Sequence, residues 1–239
     1  MKPLHIPSRG VDLSIPLDFH GPQPNAYGVP AATAQPYSSE GFTLEVARGG
    51  AVNCDVWQLI PHGQTTHTES VGHLTRERFF IAAVTLPQAT PCELVSVQPR
   101  GREILAEALD GEPIEALVVR TLPNDATKRT RRWENATTPY FTAAAMHVIR
   151  SRGVKHLLVD LPSVDPLYDN GLLQAHRIFW DMPPGSTALP DPDACQRTIT
   201  ELIFVPESVA DGRYRLTIET PHILTDAVPS RPILYPGED

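Results

Sequence analysis

Three of the chain's nine histidines stand at positions 62, 67 and 73, with Glu69 among them. The residues between, from Gly63 through Thr66 and from Ser70 to Gly72, are mostly small or polar, unlike an ordinary core segment. Imidazole nitrogen and carboxylate oxygen are the usual ligands of zinc and similar divalent ions. His67 and Glu69 are two apart, so in an extended segment both side chains point to one side and reach one ion. His62 precedes them across a Gly-containing turn and completes a three-ligand face. Three protein ligands with open positions for water is the catalytic pattern, whereas structural zinc closes its fourth position. His73, just after Gly72, is a candidate general acid or base, or a further ligand. This stretch makes a metal-dependent hydrolase the leading reading.

The elements that must position these groups alternate between strand and helix. Strands are predicted at Asn53–Ile60, Phe79–Leu86, Ala116–Arg120, His156–Asp160, Arg177–Trp180, Thr198–Val205 and Arg213–Thr220. Helices are predicted at Arg102–Leu109, between Gly101 and Gly111, and at Pro139–Arg152, stopped by Gly153. The second helix followed by a strand reads as half of an α/β unit. Thr198–Val205 is apolar on both faces yet contains Glu201. A buried carboxylate without a partner is costly, and a metal would provide one.

Composition narrows the field. At 239 residues, with 41% hydrophobic and 20% charged residues, the chain reads as an ordinary globular protein, best taken as one domain. A net charge of -8 argues against a nucleic-acid footprint. The basic exception, Lys128-Arg129-Thr130-Arg131-Arg132, is expected to be a solvated loop. No apolar run is long enough for a membrane span, and Met1 to Leu17 lacks the apolar core of a signal peptide. The three cysteines are odd in number and far apart, which suits reduced thiols and a cytoplasmic setting. Cys54 is expected to be an inert thiol buried in a strand. The 25 prolines, about double average usage, mark long ordered loops. His5, His20, His147, His156 and His222 stand outside any cluster and are expected to be structural or surface residues. There is no Gly-x-Ser-x-Gly elbow, no His-Glu-x-x-His helix and no phosphate loop.

Several segments together resemble the cyclase family of metal-dependent hydrolases, which includes kynurenine formamidase and isatin hydrolase. The family's hallmark is His-x-Gly-Thr-His-x-Asp-x-Pro-x-His, and Thr66 to His73 matches its second half in spacing. Asp12 to Leu17, Gly153 to Pro166, His176 to Phe179, Thr200 to Leu202 and Gly212 to Thr220 resemble further family segments in order. The stretch from 87 to 135 is weakly similar. Glu69 replaces the family's aspartate, His62 lies one residue early, Thr65 replaces glycine and Val71 replaces proline. The pattern His-Gly-x-x-Thr-His-Thr-Glu-x-x-Gly-His nevertheless marks a coherent subfamily.

The resemblance implies an α/β domain with a mixed sheet closing toward a barrel and packed helices, a swivelling β/β/α fold. It implies homodimers or homotetramers, often with exchanged N-terminal segments. It also implies that His67 and Glu69 bind metal, that Glu201 is a ligand or bridge, that His176 is a ligand or acid-base partner, and that His73 transfers protons. The resulting expectation is one or two divalent ions, zinc or manganese, on His62, His67, Glu69, His176 and Glu201. His73, His176 and Glu201 would serve catalysis on a small-molecule amide. Tyr27, Trp57 and Trp180 are candidates to line the pocket. A cyclisation or dehydration on the same site, and a metal-binding relative without activity, are the alternatives.

Overall fold

The structure, a computed structural model, describes residues 10–237. Nine strands form one mixed sheet: β1 (Val11–Asp12), β2 (His67–Glu69), β3 (Thr90–Val97), β4 (Ala116–Thr121), β5 (His156–Val159), β6 (Thr198–Glu201), β7 (Gly212–Glu219), β8 (Ala227–Pro229) and β9 (Arg231–Pro236). Their order across the sheet is β1-β9-β7-β3-β4-β5-β6-β2-β8. The central β3-β4-β5-β6 run is parallel and both flanks are antiparallel.

The sheet curls toward a barrel. The chain leaving β1 at one edge crosses to the far side, where Ser14 bridges Ile203 and the Phe204 N–H donates to Leu13 O at 2.8 Å. Thr66 reinforces this seam, accepting from the Ile15 N–H at 2.8 Å and donating to the Leu202 carbonyl.

Strand periodicity divides the core in two. Ala116, Val118 and Leu158 point into the curl with Leu94, Leu216 and Ile218. Their neighbours Leu117, Val119, Leu157 and Val159 face the helices. Those helices are short: α1 (Pro61–Gln64), α2 (Ala143–Ser151), α3 (Gln174–Phe179) and α4 (Pro192–Cys195). Thr142 caps α2 by accepting from the Ala145 N–H at 3.2 Å, and Ala145, Met146 and Ile149 form its buried stripe. None of the described helices is long and apolar enough to cross a membrane.

The expected strands at Ala116, His156 and Arg213 hold within a residue or so, and the other expectations are corrected. Arg177–Trp180 is the last turn and C-cap of helix α3, not a strand, because the Asp165 carboxylate accepts the Ala175 and His176 N–H groups and starts a helix. Phe79–Leu86 makes a 3-10 turn at Ile81–Ala83, whose apolar residues pack on Val228 of β8. Arg102–Leu109 is too short to nucleate a helix once Glu103–Ile104 pairs with Tyr140–Phe141. That same pairing delays α2 to Ala143. The strand from Thr198 ends at Glu201, where Leu202 turns left-handed at φ 54°. Asn53–Ile60 shrinks to a strand at Asp55–Gln58, with Cys54 exposed just before it and not buried. All three cysteines are free.

The basic cluster is only partly solvated. Lys128 is buried, and its Nζ lies 2.8 Å from Asp160 Oδ2 at the end of β5. His156 is buried and structural, with Nδ1 2.9 Å from Thr198 Oγ1. His20, His147 and His222 lie outside the clusters, and His5 lies outside the described residues.

Candidate active site

The site lies on the helix-covered face of β2 and β6. Antiparallel pairing sets His67 opposite Glu201 and Glu69 opposite Ile199. Side chains alternate, so His67, Glu69 and Glu201 all project to the side where Ile199 meets the larger core. Thr68 and Thr200 point the other way and bond each other at 2.8 Å. The early position of His62 is absorbed by α1, a single helical turn begun by Pro61. That turn brings the His62 ring to 4.9 Å from His67 and 4.4 Å from His73, centroid to centroid. His176 arrives on α3, with its Nε2 3.1 Å from Glu69 Oε1 and 3.7 Å from Glu201 Oε1. The six residues expected to bind metal or serve catalysis, His62, His67, Glu69, His73, His176 and Glu201, are therefore gathered in one place.

Glu69 is the hub. It is fully buried, and its Oε2 lies 3.3 Å from His62 Nδ1 and 3.8 Å from His73 Nδ1. Burial alone would raise its carboxyl, but the charge of His73 and the hydrogen bonds of His176 and His62 outweigh this and hold it well below the usual range. His62 moves the opposite way. Desolvation pulls it down, yet Asp226 and Glu69 carry it up to about 10. His176 also rises well above its ordinary value against burial, through Asp165 and Glu69.

Two groups were not foreseen. Asp165 Oδ2 sits 2.6 Å from His176 Nδ1 and fixes which nitrogen faces Glu69. The Asp160–Pro166 loop was legible as a segment, but nothing in it singles out this role. Asp226, isolated in sequence, places Oδ2 3.0 Å from His62 Nε2 and 3.5 Å from His73 Nδ1. Those hydrogen bonds hold its carboxyl far below the usual value. Of the three aromatics, Tyr27 lines the site cavity of 220 Å³, together with His62, His73, Ser163, His176 and Glu201. Desolvation, with the charges of Glu201, Glu69 and Asp165 behind it, pushes its phenol up and keeps it protonated. Trp180 is fully buried and packs behind His176 at 5.7 Å. Trp57 is exposed and stacks on Phe19 at 5.6 Å, apart from the cavity.

The donor atoms fit a divalent cation. Ligand atoms of His67, Glu69 and Glu201 lie within 4.8 Å of one another, as do those of His62, Glu69 and His73. The His67 Nδ1–H donates to Thr65 O at 2.9 Å, leaving Nε2 with a lone pair. That Nε2 and Glu69 Oε2 are buried with no hydrogen-bond partner. His176 is oriented in the same way, with Nδ1 on Asp165 and Nε2 3.1 Å from Glu69 Oε1. A cation supplies what the two partnerless atoms lack.

The model of the family described as "Putative cyclase" matches residues 11–166 of the chain. The chain belongs to this cyclase family. No curated protein sequence matches it. Among solved structures, a potential metal-dependent hydrolase with cyclase activity shares the cyclase fold at TM-score 0.69 and 14% identity, over 97% of this chain and 99% of that one. Isatin hydrolase A from Labrenzia aggregata aligns at TM-score 0.65 and 15% identity, over 96% and 94%. A protein from Bacillus stearothermophilus described as a "predicted metal-dependent hydrolase" aligns at 0.64 and 14%, over 95% and 98%. At these identities the likeness is one of fold.

Proposed function

We propose that this cyclase-family chain hydrolyses a non-peptide amide, an N-formyl amide or a lactam, in the manner of an arylformamidase. The observation that carries the reading is the buried Glu69 carboxylate, ringed by imidazoles and facing partnerless lone pairs. His67, Glu69 and Glu201, whose ligand atoms lie within 4.8 Å of one another, would hold one divalent ion with His176 beside them, and His62 with Glu69 a second. Nitrogen and carboxylate donors without a thiolate suit zinc or manganese, with zinc our choice. Such an ion, when bound, lowers the pKa of a water toward neutrality and polarises a carbonyl. His73 faces the cavity beside Asp226 and Glu69, where it accepts the proton of the attacking water and returns it to the leaving nitrogen. Tyr27 keeps its proton and donates a hydrogen bond at the cavity mouth. A cavity of 220 Å³ suits a small ring or a formyl group better than a peptide. The isatin hydrolases among the fold neighbours, one bound to the product analogue thioisatinate, support amide cleavage.

The test is metal content of wild type and Glu201→Gln, followed by turnover of N-formylkynurenine. About one or two ions per chain, fewer in the variant, with turnover, is the expected result. His67→Ala should lose both metal and turnover; retention of both would overturn the site. The neighbour described as having cyclase activity supports cyclisation or dehydration as a second reading. A product that has not gained the mass of water would select it. We also place the protein in the cytoplasm, on the strength of its three free thiols. Exposed Tyr37, Phe42, Val56 and Trp57 on the hairpins of residues 33–58 support self-association as a homodimer or homotetramer. Sedimentation of the purified chain tests that assembly.

A further inference from the structure

Next to the site lies a second cavity, of 420 Å³, that amide hydrolysis leaves unused. Asp226 touches both. It lines this cavity, while its Oδ2 contacts His62 and His73 on the side of the candidate ligands. The charge of the second cavity is the reverse of the first. Arg76 and Arg78 line it, and among the described residues neither guanidinium has a carboxylate within 4.0 Å. Asp226 is already engaged by imidazoles and Thr225. Phe79 and Phe80 add apolar surface beside the cations.

The arginines sit on a loop fixed at several points. The Arg76 N–H donates to Thr187 O at 2.9 Å, Ser70 Oγ donates to Phe79 O at 2.9 Å, and the Ile81 N–H donates to Thr225 O at 2.9 Å. Gly72 approaches Phe79 so closely that a Cβ there would lie 1.9 Å from its carbonyl oxygen. The same short stretch therefore holds His73 on one cavity and the two cations on the other. Guanidinium forks are matched to carboxylates, and an adjoining apolar surface suits the ring or chain that carries one.

We propose that this cavity binds a carboxylate on the substrate, so that the substrates are anionic amides. Their acyl group reacts beside Glu69 and His73 while Arg76 and Arg78 hold the acid. The identity of the reacting group rests on the hydrolytic reading above; the anion site does not.

Calorimetry with phenylacetate and the isosteric phenylacetamide tests it, on metal-loaded wild type and R76Q/R78Q. Both arginines are exposed, so the variant should fold, and R78Q alone provides a second measurement. In wild type the acid should bind at least about tenfold tighter than the amide, a preference that shrinks as salt rises. R76Q/R78Q should erase it and R78Q reduce it. Equal binding of acid and amide by wild type would overturn the proposal. So would a preference that survives R76Q/R78Q, since the carboxylate would then be on the metal. Loss of turnover on every amide, with the arginine-dependent preference intact, would sink the hydrolytic reading and leave the anion site standing.

Discussion

Replacing Asp165 by Asn separates a helix cap from a ligand-orienting carboxylate. Asp165 accepts from the Ala175 N–H at 2.7 Å, from the His176 N–H at 3.0 Å, and from His176 Nδ1 at 2.6 Å. Oδ1 takes the Ala175 N–H while Oδ2 takes both the His176 N–H and Nδ1, so the single acceptor oxygen of Asn keeps either the Ala175 bond or the two His176 bonds, not all three. Turning its NH2 toward the ring would require Nδ1 to accept, moving the proton to Nε2, where it faces Glu69. Metal affinity should then fall by about 10–100-fold, or roughly 1.4–2.7 kcal/mol. Losing a buried hydrogen bond to a charged group also costs about 1.5–3 kcal/mol of stability. At roughly 2–4 °C per kcal/mol for a chain this size, the metal-free melting midpoint drops by roughly 3–12 °C. Competition against a chromogenic chelator reads the first quantity and a thermal melt the second. A lower midpoint with metal affinity within twofold of wild type would refute the orienting role and leave Asp165 as a cap alone.

Further outcomes follow from other buried groups. Desolvation, aided by Lys155, depresses the pKa of His156 from 6.5 to about 4, so between those values the unfolded chain holds a proton that the folded one does not. Stability is therefore fully present above pH 6.5 and declines as pH falls toward 4, by up to about 3 kcal/mol; the slope of urea-unfolding stability against pH should differ between wild type and His156→Gln in that window and nowhere else. Lys128→Met strands Asp160 without its cation and should cost about 3–5 kcal/mol in urea unfolding, whereas a surface ion pair would cost under about 1. Gly72→Ala forces its Cβ against the Phe79 carbonyl, so the turn carrying His73 must shift; turnover should fall well before metal binding does.

The histidine cluster was legible because strand geometry needs only two residues to place His67 and Glu69 side by side. Glu201 was legible as a charge in a strand apolar on both faces. β4 and β5 were legible as short strands from their apolar runs. What escaped was long-range. Arg177–Trp180 has the composition of a strand, and only a carboxylate ten residues upstream makes it a helix. Lys128 looks solvated in a run of basic residues until β5 delivers Asp160 beneath it. Asp226 carries no local signal, since its partners are more than 150 residues away in sequence. Phe79–Leu86 and Arg102–Leu109 are apolar for tertiary reasons, and their patterns mimic regular elements that the chain path does not allow.

Both ligand sets contain Glu69, so they cannot fill as independent sites. A cation held by one set would take up the negative charge that attracts a second. Loading would then proceed in two unequal steps, with negative cooperativity transmitted through a single carboxylate. The number of ions per chain would become a function of free metal concentration: a singly loaded form under scarcity and a doubly loaded one under excess.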